Sequence, residues 1–252
     1  MGWLFGKVVG ISWLLQKTRK LWSIHIRKEG VYFEMLRKIY PKVKLLNQGS
    51  LFEAIGVAFP TIYVGVVFGN EIAGIFSLSQ ILLMAPIVFV GSGIGSLILS
   101  EYSTVTGVGI HSLEYQRRGV RGIFFVLVFI SSLYIVFYYF FAGILVRNLF
   151  GSAWLPAVEL FSLIVIPYSV GLVWYPLVNL FWSKQDWRSY RQFSLIRMIL
   201  PIVLAIISYT TSLDWKLTIF LVSWGTAISQ LLGIYVLNLK WKFLNSRDAE
   251  GA

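Results

Sequence analysis

Long apolar runs alternate with short polar intervals along this chain. Six runs stand out once the charges are marked, at residues 51–68, 73–99, 122–146, 154–182, 193–213 and 217–239. Each is close to or above the roughly 20 residues a helix needs to cross a hydrocarbon core of ~30 Å. Within the runs, apolar side chains occupy every face rather than a stripe or a strict alternation. That pattern predicts membrane-spanning helices and not barrel strands. The expected fold class is all-α and integral to the membrane, with six transmembrane helices. A shorter run at residues 2–15 includes Lys7 and is too short for a full span. It opens with too few basic residues for a signal peptide. Gly6 stands where a myristoylation motif would need Ser or Thr.

The basic residues orient the bundle. Nine lie within residues 16–48: Lys17, Arg19, Lys20, Arg27, Lys28, Arg37, Lys38, Lys42 and Lys44. Residues 69–72 hold none. Residues 100–121 hold Arg117, Arg118 and Arg121, and the next connection holds Arg147 alone. Lys184, Arg188 and Arg191 follow, then Lys216, then Lys240, Lys242 and Arg247 in the tail. The alternation obeys the positive-inside rule at every turn. A multi-pass protein of the cytoplasmic (inner) membrane is expected, with residues 16–48 and the C-terminus in the cytoplasm. Orientation also accounts for the net charge of +11, so nucleic acid is not an expected partner.

Composition narrows the chemistry. Charged residues make up 13% of the chain, against about a quarter in soluble domains. The absence of cysteine excludes disulfide scaffolds, thiolate metal sites and cysteine nucleophiles. His25 and His111 are too few and too far apart to suggest a metal or triad site. No metal, cofactor or enzymatic activity is expected. No selectivity-filter signature or mid-membrane carboxylate pair is present.

The glycine-rich stretch Gly91-Ser92-Gly93-Ile94-Gly95 has no preceding strand and no lysine, so it reads as a helix-packing surface, not a phosphate loop. Gly65 and Gly69 share its small-xxx-small spacing. Pro60, Pro86, Pro167, Pro176 and Pro201 fall inside spans, where each removes a backbone hydrogen bond. Gly69 suits the end of one helix and Asn70 the cap of the next. Residues 17–44 mix apolar with basic positions and suit an amphipathic helix on the membrane surface. The polar residues inside the spans that stand out are Glu53, Ser77, Gln80, Glu159, Asn179, Arg197 and Gln230. An ionisable group within a span is a functional candidate by default. Glu53 and Glu159 lie near span ends and read as snorkelling to an interface. Arg197 reads either as snorkelling or as facing a wet cavity. Arg197, Gln80, Glu53, Asn179 and Tyr63 form the candidate substrate-binding set. Tyr63, Tyr168 and Tyr175 offer ring faces for stacking on sugars, or serve as ordinary interfacial aromatics.

Two stretches carry a family likeness. The first is Phe68-Gly69-Asn70-Glu71-Ile72-Ala73-Gly74-Ile75-Phe76-Ser77-Leu78-Ser79-Gln80, followed by Leu83, Pro86 and the glycine-rich residues 90–95. It resembles the seventh-to-eighth helix region of polysaccharide and O-antigen flippases. The second, Leu149-Phe150-Gly151-Ser152-Ala153-Trp154 with Ala157, resembles the start of that family's tenth helix. The likeness runs from about residue 51 to 240 and departs at Glu101, where a proline is usual. The family is the polysaccharide transport branch of the multidrug/oligosaccharidyl-lipid/polysaccharide superfamily, whose members pair two six-helix lobes.

The resemblance implies that this chain corresponds to the second lobe. Residues 1–15 would be the remnant of a preceding helix, 16–50 a basic cytoplasmic linker, 51–240 the six-helix lobe and 241–252 a cytoplasmic tail. It also implies movement of a polyprenyl-diphosphate-linked oligosaccharide across the membrane, in contact with membrane lipid. The second wall would come from a separate N-terminal lobe or from a homodimer, with Met1 an internal methionine or a late start. Two alternatives stay open: a drug or cation antiporter of the same superfamily, and a non-transporting membrane assembly subunit.

Overall fold

The computed structural model describes residues 29–102 and 113–241. The expected helix remnant over 1–15, the start of the basic linker and the tail past Trp241 lie outside the described residues. The chain divides into two compact units, Met1–Lys44 and Leu45–Ala252. The helix bundle belongs to the second.

Seven α-helices are described: α1 (Glu29–Phe68), α2 (Asn70–Tyr102), α3 (Leu113–Phe150), α4 (Pro156–Leu177), α5 (Asn179–Ser183), α6 (Trp187–Thr210) and α7 (Trp215–Trp241). Among the described residues a single 3-10 turn, Ser152–Trp154, is the one further element, and no strand occurs. Six stretches are long and apolar enough to cross a membrane: Ile39–Phe68, Asn70–Tyr102, Tyr115–Phe150, Pro156–Ser183, Trp187–Thr210 and Trp215–Trp241. The all-α, six-span architecture expected from the pattern is the one found.

The helices outrun the apolar runs. α1 continues unbroken across position 50/51, where the linker was expected to end. α3 begins at Leu113, so Arg117, Arg118 and Arg121 stand on its first turns and not in a loop. α6 begins at Trp187 rather than near Phe193, because the Asp186 side chain accepts the Ser189 backbone N–H 3.2 Å away and caps it. Long basic side chains reach past the apolar zone while their backbone stays helical, so hydropathy understates the helix.

Backbone chemistry sets the turns. Gly69 has φ +93°, the left-handed conformation that ends α1 at no steric cost. Its carbonyl already accepts from the Ala73 N–H at 3.2 Å, so Gly69 is also the N-cap and Asn70 the first helical residue. Asn70 was expected to be the cap, and the glycine does both jobs.

α4 is the most buried span. It packs against α2, α3 and α7, while α6 packs against α7 and α5 against α2. Pro86 leaves the Leu82 carbonyl of α2 without its usual partner four residues on. The Tyr138 hydroxyl of α3 donates to that carbonyl at 2.5 Å, and the Tyr134 hydroxyl donates to the next one, Leu83, at 3.0 Å. The Tyr138 hydroxyl of a neighbouring helix thus replaces the bond the proline removes, as hydrocarbon surroundings require. Gly91 and Gly95 serve close approach: a Cβ on Gly91 would stand 3.1 Å from Tyr175 Cβ, and one on Gly95 would collide with Asn179 Nδ2.

A candidate site inside the bundle

α1 presents small and polar residues along one line. Gly49, Glu53, Gly56, Pro60 and Tyr63 recur every three or four positions, which puts them on one helical face. α6 lies against that face. A Cβ on Gly49 would come within 2.6 Å of the Tyr190 ring, and one on Gly56 within 3.2 Å of the Arg197 carbonyl oxygen. Pro201 leaves that same carbonyl without its helical partner. At the far end the Tyr63 hydroxyl donates to the Ala205 carbonyl at 2.9 Å and lies 3.2 Å from Ser208 Oγ.

This close approach delivers Glu53 to Arg197. The guanidinium Nη1 donates to Glu53 Oε1, and Nη2 donates to the Tyr175 hydroxyl at 2.8 Å. The guanidinium carbon stands 5.1 Å from the Tyr175 ring centroid, within the range of a cation–π contact. Glu53 Oε2 accepts from the Tyr190 hydroxyl at 2.9 Å. Arg197 is 5% exposed at its side chain. A lone cation at that depth would be costly, and the carboxylate with two phenols offsets the cost.

Beside this cluster is a cavity of about 270 Å³. Arg197 and Tyr175 line it, with Gln80 of α2, Pro167, Tyr168 and Gly171 of α4, and Ser223, Thr226 and Gln230 of α7. Gln80 Oε1 accepts from the Thr61 hydroxyl at 2.7 Å. Among the described residues, Ser223 Oγ and Gln230 Oε1 are buried without a hydrogen-bond partner. Buried polar groups are normally satisfied. Two uncommitted ones on a cavity wall are therefore suited to hydrogen-bonding a polar guest.

The sequence-derived candidates separate here. Arg197 and Gln80 reach the cavity, and Glu53 holds Arg197 in place without lining the wall. Glu53 does not snorkel to an interface: its carboxylate turns inward to the arginine. Glu159 does behave as a surface acid: its side chain is exposed and pairs with the partly exposed Lys216 at 2.6 Å. Asn179 and Tyr63 fall outside the cavity. Asn179 Nδ2 donates to the Tyr175 and Pro176 carbonyls at 3.2 and 3.1 Å, bracing the break between α4 and α5. Tyr63 ties α1 to α6 instead. Tyr168 and Tyr175 do present themselves to the cavity. Ser223 and Thr226 were not anticipated, because small hydroxyl residues are common in spans and give no signal until a cavity singles them out. No family model, curated protein or solved structure matches this chain.

Proposed function

We propose that this protein is a membrane transporter that moves a polyprenyl-diphosphate-linked oligosaccharide across the cytoplasmic membrane, as one wall of a two-lobe flippase. The observation that supports the reading most is a buried arginine on the wall of a cavity that also holds two tyrosine rings and two uncommitted polar groups. Arg197, its charge balanced by Glu53, offers a guanidinium on the cavity wall to hydrogen-bond an anionic headgroup, Tyr168 and Tyr175 offer ring faces, and Ser223 and Gln230 offer hydrogen bonds to hydroxyls. The resemblance of residues 68–95 and 149–157 to polysaccharide flippases points the same way. Ligand pockets usually span ~300–1,000 Å³. At about 270 Å³ the cavity encloses part of such a substrate, which fits a site completed by a second lobe, either a separate N-terminal lobe or a second copy. The basic alternation supports placing residues 16–48 and the C-terminus in the cytoplasm.

The test is translocation. Full-length protein reconstituted in liposomes with a fluorescent polyprenyl-diphosphate disaccharide should raise the rate at which the label becomes accessible to an impermeant quencher. Arg197→Ala should lose most of that gain. Retention of the lipid-linked sugar by wild type, measured by native mass spectrometry, would support the site even where translocation needs a second lobe to proceed. Neither translocation nor retention by correctly folded protein would reject the reading.

A further inference from the structure

A second cavity, of about 310 Å³, opens at the end of the bundle where α3 begins and α5 and α7 end. Its lining is Gln116 and Arg117 from the first turns of α3, Lys184 from the α5–α6 connection, and Lys240 and Trp241 from the end of α7. Three separate stretches of chain thus bring three cations to one cup. Positive-inside orientation explains why this end is basic. It does not explain why the charges converge, nor why one of them is folded inward.

That inward residue is Lys184. Its Nζ donates to Gln116 Oε1 at 3.1 Å and stands 4.9 Å from the centroid of the Trp241 ring. A neutral amide and a ring face orient an ammonium without cancelling its charge. Burial lowers the Lys184 pKa below the ordinary lysine value, as expected of an ammonium that has lost water. Lys240 is differently placed. It binds Asp186 Oδ2 at 2.5 Å and the Ser189 hydroxyl, so it is already compensated. Asp186 accounts for one positive charge of the three. Among the described residues, no carboxylate pairs with Lys184 or with the exposed Arg117.

We propose that this cup binds the phosphate of an anionic lipid headgroup, with Lys184 and Arg117 as its two charge partners and Trp241 as its floor at the edge of the acyl region. The cup lies at the terminal turns of membrane spans, at the depth where tryptophans settle and where lipid phosphates lie. Basic pockets between spans are a recurring way of holding such headgroups. A soluble phosphate has the same charge chemistry but gains nothing from a site at the rim of the apolar zone.

The experiment compares both sources. Full-length protein in nanodiscs of phosphatidylcholine with a minor share of phosphatidylglycerol is released and examined by native mass spectrometry. Wild type should retain phosphatidylglycerol in preference to phosphatidylcholine. Arg117→Gln and Lys184→Gln should each lower that preference about fivefold, the value of one basic residue at an anionic surface. Lys184→Arg, which keeps the charge, should hold most of it, and Arg147→Gln on the opposite end should change nothing. Arg117 is exposed, so its variant tests the proposal even if a Lys184 variant folds poorly. Unchanged preference in Arg117→Gln, or an equal loss in Arg147→Gln, overturns the site. Millimolar inorganic phosphate that displaces the retained lipid, or raises the melting temperature as much as phosphatidylglycerol does, overturns the lipid assignment.

Discussion

Glu53 and Arg197, 144 positions apart in the chain, form an ion pair within the bundle in which the arginine is 5% exposed and the carboxylate 23%. The asymmetry in exposure makes a directional prediction. Removing one partner of a buried pair typically costs about 3–5 kcal/mol, because the other charge is left uncompensated. Glu53→Gln strands the deeper charge, and Arg197→Met strands the shallower one. Glu53→Gln should therefore lower unfolding stability more than Arg197→Met. The double variant should recover much of the loss, since no orphan charge remains. Denaturant titration of the four proteins in one detergent measures the cycle, and a larger loss in Arg197→Met would contradict the burial argument.

Tyr138 and Pro86 give a second cycle. If the Tyr138 hydroxyl replaces the bond that Pro86 denies to the Leu82 carbonyl, Tyr138→Phe should cost about 1 kcal/mol in the native background. Pro86→Ala restores a backbone N–H at that position, which can reclaim the carbonyl. In that background the same Tyr138→Phe change should cost less than half as much. Equal costs in both backgrounds would mean that the hydroxyl has another role.

These two pairs also mark what the sequence could disclose. The six spans were legible because hydrocarbon imposes a length and a composition on every segment that crosses it. Gly69 was legible as a helix stop because its conformation is local. The Glu53–Arg197 pair was not, since it depends on α1 and α6 packing through Gly49 and Gly56, a long-range event. For Glu53, nearness to a span end suggested an interfacial acid, while its actual partner lay on another helix. Asn179 looked like a site residue because it is polar within a span, and Tyr63 because its ring could stack on a sugar. Their hydrogen bonds go to backbone carbonyls, at the α4–α5 break and on α6 respectively. Residue type cannot separate a polar group that braces a helix from one that meets a ligand.

The cap of α6 predicts a pH dependence. Burial alone would raise the Asp186 pKa, but hydrogen bonds from Lys240 and Ser189, with the Lys240 charge, outweigh it and hold the carboxyl below its ordinary value. A folded value below the unfolded one, about 3.9, means the stabilisation is fully present above that range. It is lost as the pH falls through the lower folded value. The difference in melting temperature between wild type and Asp186→Asn should be constant from about pH 6 to 8 and should shrink below about pH 4. Since both partners are partly exposed, added salt should narrow the difference as well. A difference that widens in acid would reverse the sign and reject the cap as its source.

The last prediction concerns sidedness. Arg188 is exposed just after the Asp186 cap, beside Lys184 and Arg191, at one end of α6. Thr211 is exposed at the other end, where Lys216 is the nearest basic residue. One helix long enough to cross separates them, so their labels must fall on opposite sides if α6 spans. Basic density predicts Arg188 in the cytoplasm and Thr211 outside. The native chain has no cysteine, so Arg188→Cys and Thr211→Cys each supply a single thiol without removing another. In intact cells an impermeant maleimide should label Thr211→Cys and spare Arg188→Cys until the membrane is opened. Labelling of both from outside would mean that α6 does not cross. Labelling of Arg188→Cys alone would mean that the bundle is inverted, and the basic cup would then face the outer leaflet.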